Sequence, residues 1–186
     1  MKINKDFTLQ YGLLYGVTMS GYSLISYTIG IDFMLNWFNV GFAFLLPFGL
    51  TYYIGTISRS KNGGFISWKE AFTELFLVLA AGFFVIVAFD FVLNTLIDPE
   101  LPMELYDKVV EKTMKMLQGI GSDEATLNET YKKFEEGRVA VSEKYTAFGV
   151  IRTYMSGLFF QGLVAALIAI FIKKNNPNLF SESEEN

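Results

Sequence analysis

Four long apolar segments constrain the fold of this chain more than any other feature of its sequence. The chain has 186 residues, 52% of them hydrophobic, and each apolar segment runs 23 to 27 residues. About 20 apolar residues suffice for a helix to cross the hydrocarbon core of a bilayer. The segments are therefore long enough to be transmembrane helices, and they occupy Leu9–Ile31, Met34–Ile57, Ala71–Ile97 and Phe148–Ile172.

A soluble four-helix bundle is the alternative interpretation of the same pattern. Helices of a soluble bundle carry one apolar stripe and one polar face, whereas the stretch 76–89, FLVLAAGFFVIVAF, is apolar all round. The second segment also contains Pro47, which is tolerated in membrane helices because neighbouring groups satisfy the freed backbone. The pattern favours an all-α integral membrane protein with four transmembrane helices.

The four segments divide the chain into domains. Residues 1–97 form an N-terminal membrane part with three transmembrane helices, and residues 98–147 form an extracytoplasmic segment. Residues 148–172 form the fourth transmembrane helix, followed by a cytoplasmic acidic tail at 173–186. Short cytoplasmic flanks are enriched in Lys and Arg, which predicts that both termini are cytoplasmic. The basic residues of these flanks are Lys2, Lys5, Arg59, Lys61, Lys69, Lys173 and Lys174.

The extracytoplasmic segment reads as a helical hairpin between the third and fourth transmembrane helices. A first helix is expected over Met103–Leu117, and Gly119–Ser122 stops it. Ser122 is expected to cap the second helix, whose apolar stripe runs on into the fourth apolar segment. The pattern therefore predicts one continuous helix that rises out of the membrane. A capping box of Ser67 and Glu70 is expected to begin the third transmembrane helix.

The absence of His and Cys excludes several classes of chemistry. A chain without these residues has no Cys/His zinc site, no thiol redox centre, no disulfide and no Ser-His-Asp or Cys-His nucleophile. The net charge of −4 argues against nucleic acid as a partner. We predict no catalytic, cofactor-binding or metal-binding residues and no cofactor.

Asp90 is the most informative polar residue, because an ionisable group inside a transmembrane helix costs about 2.5–3.5 kcal/mol on insertion scales. Asn94 lies one turn above it, and Arg152 enters the fourth segment to a comparable depth. These positions predict an Asp90–Arg152 pair that clasps two helices. A proton or ion relay is one alternative, and snorkelling of both side chains to the outer interface is another.

Small residues recur at helical spacing in the first and fourth segments. Gly12 and Gly16 are four residues apart, as are Gly157 and Gln161. Such ridges let helix backbones approach closely, so we predict contacts between helices of the same chain, with homo-oligomerisation through Gly12 and Gly16 as the alternative. Gln161 is expected to add a hydrogen bond between helices.

Two short motifs resemble a known family. The stretch 63–72, GGFISWKEAF, and the stretch 97–100, IDPE, together with four membrane spans, are similar to the small bacterial integral membrane proteins grouped as domain of unknown function 4199. The resemblance covers nearly the whole chain. It implies a location in the bacterial inner membrane with residues 98–147 in the periplasm, and it supplies no catalytic residues.

The sequence thus predicts a non-enzymatic interaction or accessory protein of the inner membrane, embedded in the lipid bilayer. Its hairpin is expected to contact a protein partner as a helix in a groove. The alternative is a small transporter or channel subunit that uses Asp90, although transporters usually show several intramembrane polar groups and broken helices. An intramembrane hydrolase is a more distant third hypothesis.

Overall fold

The computed structural model describes residues 5–175, which form seven α-helices. A π-helical segment, Leu93–Ile97, continues the fourth helix. Lys2 and most of the expected acidic tail, residues 176–186, lie outside the described residues. The helices are α1 (Lys5–Ile29), α2 (Ile31–Met34), α3 (Trp37–Lys61), α4 (Trp68–Val92), α5 (Leu101–Gly119), α6 (Glu124–Glu143) and α7 (Ala147–Ile172).

Helix α4 is the central element of the bundle. It packs most extensively against α1 on one side and α7 on the other, and α3 packs against α7 and α4. The core between these helices contains the fully buried Tyr15, Leu75, Leu79 and Val164. The short connection between the first two long helices, α1 and α3, contains the single-turn helix α2.

Three helices are long and apolar enough to cross a membrane: α3, α7, and α4 with its π-helical extension. The prediction of four such helices is therefore met only in part. Helix α1 has 25 residues but is not among the three found in residues 5–175. Its sequence carries serines, threonines and tyrosines between the aliphatic residues, and these polar groups lower its hydropathy.

The distribution of polarity on α1 is the reverse of that on a water-soluble helix. Ser20 and Ser26 are buried at 7% and 4% exposure, whereas Val17 and Ile25 are 62% and 59% exposed. Large apolar side chains in a soluble monomer are seldom exposed as a continuous surface. The same reversal holds on α7, where Phe159 is 74% exposed. The outer surface of the bundle is thus apolar along both helices.

The start of α4 confirms the predicted capping box. The Ser67 hydroxyl accepts a hydrogen bond from the Glu70 amide at 3.3 Å, and the Glu70 carboxylate accepts one from the Ser67 amide at 3.0 Å. The preceding turn uses Gly63 and Gly64, whose φ angles of +71° and +88° favour glycine. Pro47 lies inside α3, as the membrane interpretation allows.

Two backbone hydrogen bonds tie the α3–α4 loop to the end of α7. The Ile66 amide donates to the Lys174 carbonyl at 2.9 Å, and the Lys174 amide donates to the Ile66 carbonyl at 2.9 Å. The Lys61 ammonium lies 5.0 Å from the centre of the Phe7 ring, which places the start of α1 nearby. One end of the bundle therefore collects the start of α1, the end of α3, the start of α4 and the end of α7.

Helices α5 and α6 pack against each other. The Tyr106 and Phe134 rings meet edge to face at 6.0 Å, and the Tyr106 hydroxyl donates to the Phe134 carbonyl at 2.5 Å. Arg138 and Asp107 form an ion pair between the helices. An aromatic pair, a hydrogen bond and an ion pair therefore link the two helices.

The helix caps of α6 and α7 correct two predictions. The cap of α6 is Asp123 instead of Ser122, because the Asp123 carboxylate accepts the Thr126 amide at 2.7 Å. The predicted continuous helix is also wrong, since α6 ends at Glu143 and α7 begins at Ala147. The Thr146 hydroxyl accepts the Gly149 amide at 3.1 Å and so begins a new helix. The apolar spacing does not reveal this break.

Candidate functional site

A polar cluster lies where the C-terminal end of α4 meets the α6–α7 junction. Asp90 occupies the last turns of α4, just before the π-helical segment. The Asn94 side-chain amide donates to the Asp90 backbone carbonyl at 2.7 Å and to the Asp90 carboxylate at 2.9 Å. Asn94 is 6% exposed, so the Asp90 oxygen that accepts this hydrogen bond lies against a buried side chain.

The ionic partner of Asp90 is Lys144. The Lys144 ammonium lies 3.2 Å from the Asp90 carboxylate, and the two side chains are 44% and 38% exposed. The predicted Asp90–Arg152 pair is therefore not formed. Lys144 occupies the break between α6 and α7, which lets its side chain reach α4. Arg152 is an exposed residue of α7.

The charge states within this cluster follow from burial and from Asp90. Burial disfavours the Lys144 ammonium, but the negative charge of Asp90 and the hydrogen bonds to Asp90 and Tyr145 outweigh it, so the pKa of Lys144 lies above its ordinary value. Burial raises the pKa of Tyr145, and the Asp90 charge raises it further. At neutral pH Lys144 is therefore an ammonium and Tyr145 a neutral phenol.

Two cavities flank Lys144. A small one of about 10 Å³ lies on the Asp90 side, between α4 and α7, and is close to the size that holds one water molecule. A groove of about 460 Å³ lies on the other side, along the first turns of α7. Arg152 lines this groove together with Lys144. The structure thus brings Arg152 near Lys144 instead of Asp90.

A further cavity of about 570 Å³ lies at the same end of the bundle, between α1, α2 and the start of α5. The Tyr27 hydroxyl donates to the Asp98 carboxylate at 3.1 Å, and the other Asp98 oxygen accepts the Leu101 amide at 3.1 Å. Lys112 lies 3.9 Å from Asp32 of α2. These contacts join both the start and the middle of α5 to the bundle.

The glycines singled out in the sequence lie at close helix contacts. A Cβ atom on Gly12 would lie 2.8 Å from the Ala81 side chain, and one on Gly16 would lie 2.7 Å from the Gly82 carbonyl. A Cβ atom on Gly157 would overlap the Phe83 ring. The glycines of α1 therefore contact α4, and Gly157 of α7 contacts α4 as well.

Gln161 is buried at 7% exposure in the middle of α7. Its side chain lies beside Tyr15 of α1, and its carbonyl oxygen has no hydrogen-bond partner within residues 5–175. Of the predicted site residues, Asp90 and Asn94 are hydrogen-bonded to each other. Gly157 and Gln161 lie at two different contacts of α7, with Phe83 and with Tyr15.

Lys144 is the residue of this cluster that the sequence pattern does not single out. The apolar stripe places it within an uninterrupted helix, in which its side chain has no reason to face α4. Threonine is a favoured N-cap residue, and Thr146 lies two residues before the start of the fourth apolar segment at Phe148. This N-cap residue marks the break between α6 and α7 that allows the Lys144 side chain to reach Asp90.

Comparison with known proteins gives one family. The family model described as "Protein of unknown function (DUF4199)" matches residues 10–174. This match confirms the resemblance drawn from residues 63–72 and 97–100. No curated protein and no solved structure matches the chain. The matched range extends from the first turns of α1 to the Ile66–Lys174 backbone pair.

Proposed function

The chain belongs to the DUF4199 family, and we propose that it is a membrane protein that presents the α5–α6 pair to a protein partner. In this proposal α1, α3, α4 and α7 are four transmembrane helices of the bacterial inner membrane. Helices α5 and α6 form an extracytoplasmic hairpin. The role is that of a non-enzymatic accessory protein.

The reversed polarity of the bundle supports the membrane placement, including that of α1. On this helix, serines face the neighbouring helices, and valines and isoleucines face outward. That arrangement is expected of a helix surrounded by lipid tails. Close packing through small residues is the usual way in which helices associate in lipid, and Gly12 and Gly16 pack in this way against α4.

The positions of the basic residues support the orientation. Cytoplasmic flanks of membrane helices carry an excess of Lys and Arg. Six such residues lie at the end of the bundle that collects the start of α1 and the end of α7. That end is cytoplasmic in the proposal, and the α5–α6 pair then lies on the periplasmic side. The six residues are Lys5, Arg59, Lys61, Lys69, Lys173 and Lys174.

The observation that carries the interaction role is that the α5–α6 pair is fixed at both ends. Contacts of Asp98 and Lys112 hold α5 to the bundle, and the Lys144–Asp90 pair holds the end of α6. A recognition surface benefits from being held in one orientation, because less conformational entropy is lost on binding.

The surface offered to a partner is an apolar stripe on α5. Met116 and Ile120 are 61% and 73% exposed, and Val109 lies on the same face two turns earlier. Exposed apolar residues spaced by about four and seven positions are typical of helix-in-groove recognition. We define Val109, Met116 and Ile120 as the α5 stripe.

Photo-crosslinking in cells tests the interaction role. A photoreactive amino acid placed at Met116 or Ile120 should give a discrete protein adduct, because the α5 stripe faces the partner. The same amino acid at Lys133, an exposed residue of α6 paired with Glu129, is the control and should give none. Equal adducts at all three positions, or adducts at none, would contradict the proposal.

A small transporter or channel subunit that uses Asp90 is the second candidate. The observation in its favour is the pair of cavities on either side of Lys144, one of which reaches Asp90. Flux of protons or metal cations into liposomes that contain the purified chain would support it, provided that Asp90→Asn abolishes the flux.

A further inference from the structure

Arg152 occupies an unusual position for a charged residue. It lies one turn into α7, on a face where Phe148, Ile151 and Met155 are 77%, 61% and 62% exposed. Within residues 5–175 its guanidinium forms no ion pair with an acidic side chain. The guanidinium is therefore available to an anion from outside the bundle.

The groove beside Arg152 supplies further hydrogen-bond donors from Lys144 and Thr153. An ammonium has three N–H donors; those of Lys144 reach Asp90 at 3.2 Å and Tyr145 at 3.1 Å, which leaves one for the groove. The hydroxyl groups of Thr146 and Ser156 already donate to backbone carbonyls. Because Asp90 pairs with Lys144, the unpaired cation of the groove, among the described residues, is Arg152. The polar residues that line the groove are Glu143, Lys144, Thr146, Arg152, Thr153 and Ser156.

We propose that this groove binds the phosphate group of an anionic phospholipid. A planar guanidinium donates two parallel hydrogen bonds to phosphate oxygens, and the Lys144 ammonium and the Thr153 hydroxyl supply further donors for the remaining oxygens. The volume of about 460 Å³ falls within the usual range for small-ligand sites. Basic pockets at the ends of transmembrane helices bind lipid headgroups in this way.

The surface beyond the groove selects a lipid over a free phosphate ion. Along the helix from Arg152 and Ser156, the same face of α7 continues as Phe159, Phe160 and Leu163, which are exposed at 74%, 44% and 48%. A phosphate seated at Arg152 would direct its acyl chains along these side chains. The site thus combines a cationic groove with an apolar track, as a phospholipid requires.

The inference rests on the proposed membrane placement, because the headgroup lies at the level of the outer ends of α4 and α7. Cell fractionation tests that placement separately. A chain recovered in the soluble fraction would contradict the membrane placement, whereas the lipid titration below uses purified protein in micelles and tests the groove itself.

Native mass spectrometry of the full chain in detergent tests the groove. Phosphatidylglycerol should bind to the wild type, and Arg152→Gln should weaken that binding about tenfold or more, since it removes charge-assisted hydrogen bonds. Arg152→Lys should retain part of the affinity. Lys133→Gln removes one positive charge from α6, away from the groove, and should leave binding unchanged.

The outcomes are distinct. Equal binding of phosphatidylglycerol to the wild type and to Arg152→Gln would overturn the proposal, as would equal losses in Arg152→Gln and Lys133→Gln. Glycerol 3-phosphate carries the phosphate without acyl chains. If it binds as tightly as the lipid, the ligand is a soluble phosphate and the lipid assignment is wrong. Unchanged thermal unfolding of Arg152→Gln shows that the variant is folded.

Discussion

The Lys144 ammonium lies 3.2 Å from the Asp90 carboxylate and joins two parts of the chain that are 54 residues apart. Asp90 belongs to the central helix of the bundle, and Lys144 to the three-residue break where the α5–α6 pair returns to it. The contact therefore fixes the end of α6 relative to α4. Asn94 completes the arrangement by holding the Asp90 carboxylate from its own helix.

A double-mutant cycle of Asp90→Asn and Lys144→Met should reveal favourable coupling. Both side chains are more than a third exposed, so we expect only about 0.2–1 kcal/mol in the free energy of unfolding in micelles. The matched cycle pairs Asp90→Asn with Arg152→Met and should show additive effects. Coupling of Asp90 with Arg152 and none with Lys144 would contradict the structure.

A methyl group at Gly16 should destabilise the bundle. The Cβ atom of Gly16→Ala would lie 2.7 Å from the Gly82 carbonyl and 2.6 Å from the Val85 Cβ atom, so α1 must move away from α4. Overpacking of this kind costs about 1–3 kcal/mol. The measurement is the midpoint of thermal unfolding in micelles, followed by circular dichroism.

Gly21 provides the control for that experiment. It lies in the same helix, and a Cβ atom there would meet nothing within 4 Å. Gly21→Ala should therefore leave the midpoint unchanged or raise it slightly, since alanine favours helix more than glycine does. Similar losses in both variants would show that α1 does not pack closely against α4.

The first turn of α6 should loosen in acid. The hydrogen bonds with Thr126 lower the pKa of Asp123 below its ordinary value, which is about 3.9. The resulting stabilisation is complete above the ordinary value and is lost as the pH falls through the lower pKa of the folded state. Hydrogen exchange at the Thr126 amide should accelerate over that range, after correction for the intrinsic pH dependence of exchange.

Asp123→Asn keeps a capping side chain at the start of α6 and removes its negative charge. Asparagine caps helices as well as aspartate does but does not titrate, so exchange at Thr126, corrected in the same way, should not depend on pH in this variant. Identical pH profiles for the wild type and Asp123→Asn would show that another group controls the first turn of α6.

Labelling of single cysteines should report opposite sides of the membrane for the two ends of the bundle. The chain has no cysteine, so Ser60→Cys and Ser142→Cys each introduce one thiol at an exposed serine. A maleimide that does not cross the inner membrane should label Ser142→Cys in intact spheroplasts. It should label Ser60→Cys only after the membrane is opened, and the reverse result would invert the proposed topology.

The long apolar helices and the starting signal of α4 could be predicted from the sequence, because they depend on local patterns. The predicted span Ala71–Ile97 lies within the helix that runs from Trp68 through the π-helical segment, and the capping box of Ser67 and Glu70 is present. Hydropathy and cap residues act over a few neighbouring positions, so a single sequence contains the necessary information.

The partner of Asp90 could not be predicted in the same way. Counting residues from the end of a segment gives the depth of a side chain, and Asp90 and Arg152 do have similar depths. It does not give the rotation of each helix about its axis, which is set by packing. Arg152 faces outward with Phe148 and Met155, and the break at Thr146 brings Lys144 to Asp90 instead.

The reversed polarity of the bundle changes which residues are critical for its assembly. When the surroundings are as apolar as the helix surface, little is gained by removing a leucine side chain from them, and association depends on how closely two backbones fit. The outward residues Leu13 and Val17 should accept many apolar replacements. Gly12, Gly16 and Gly82 have no side chain, and they are the positions where the backbones of α1 and α4 pack directly against each other.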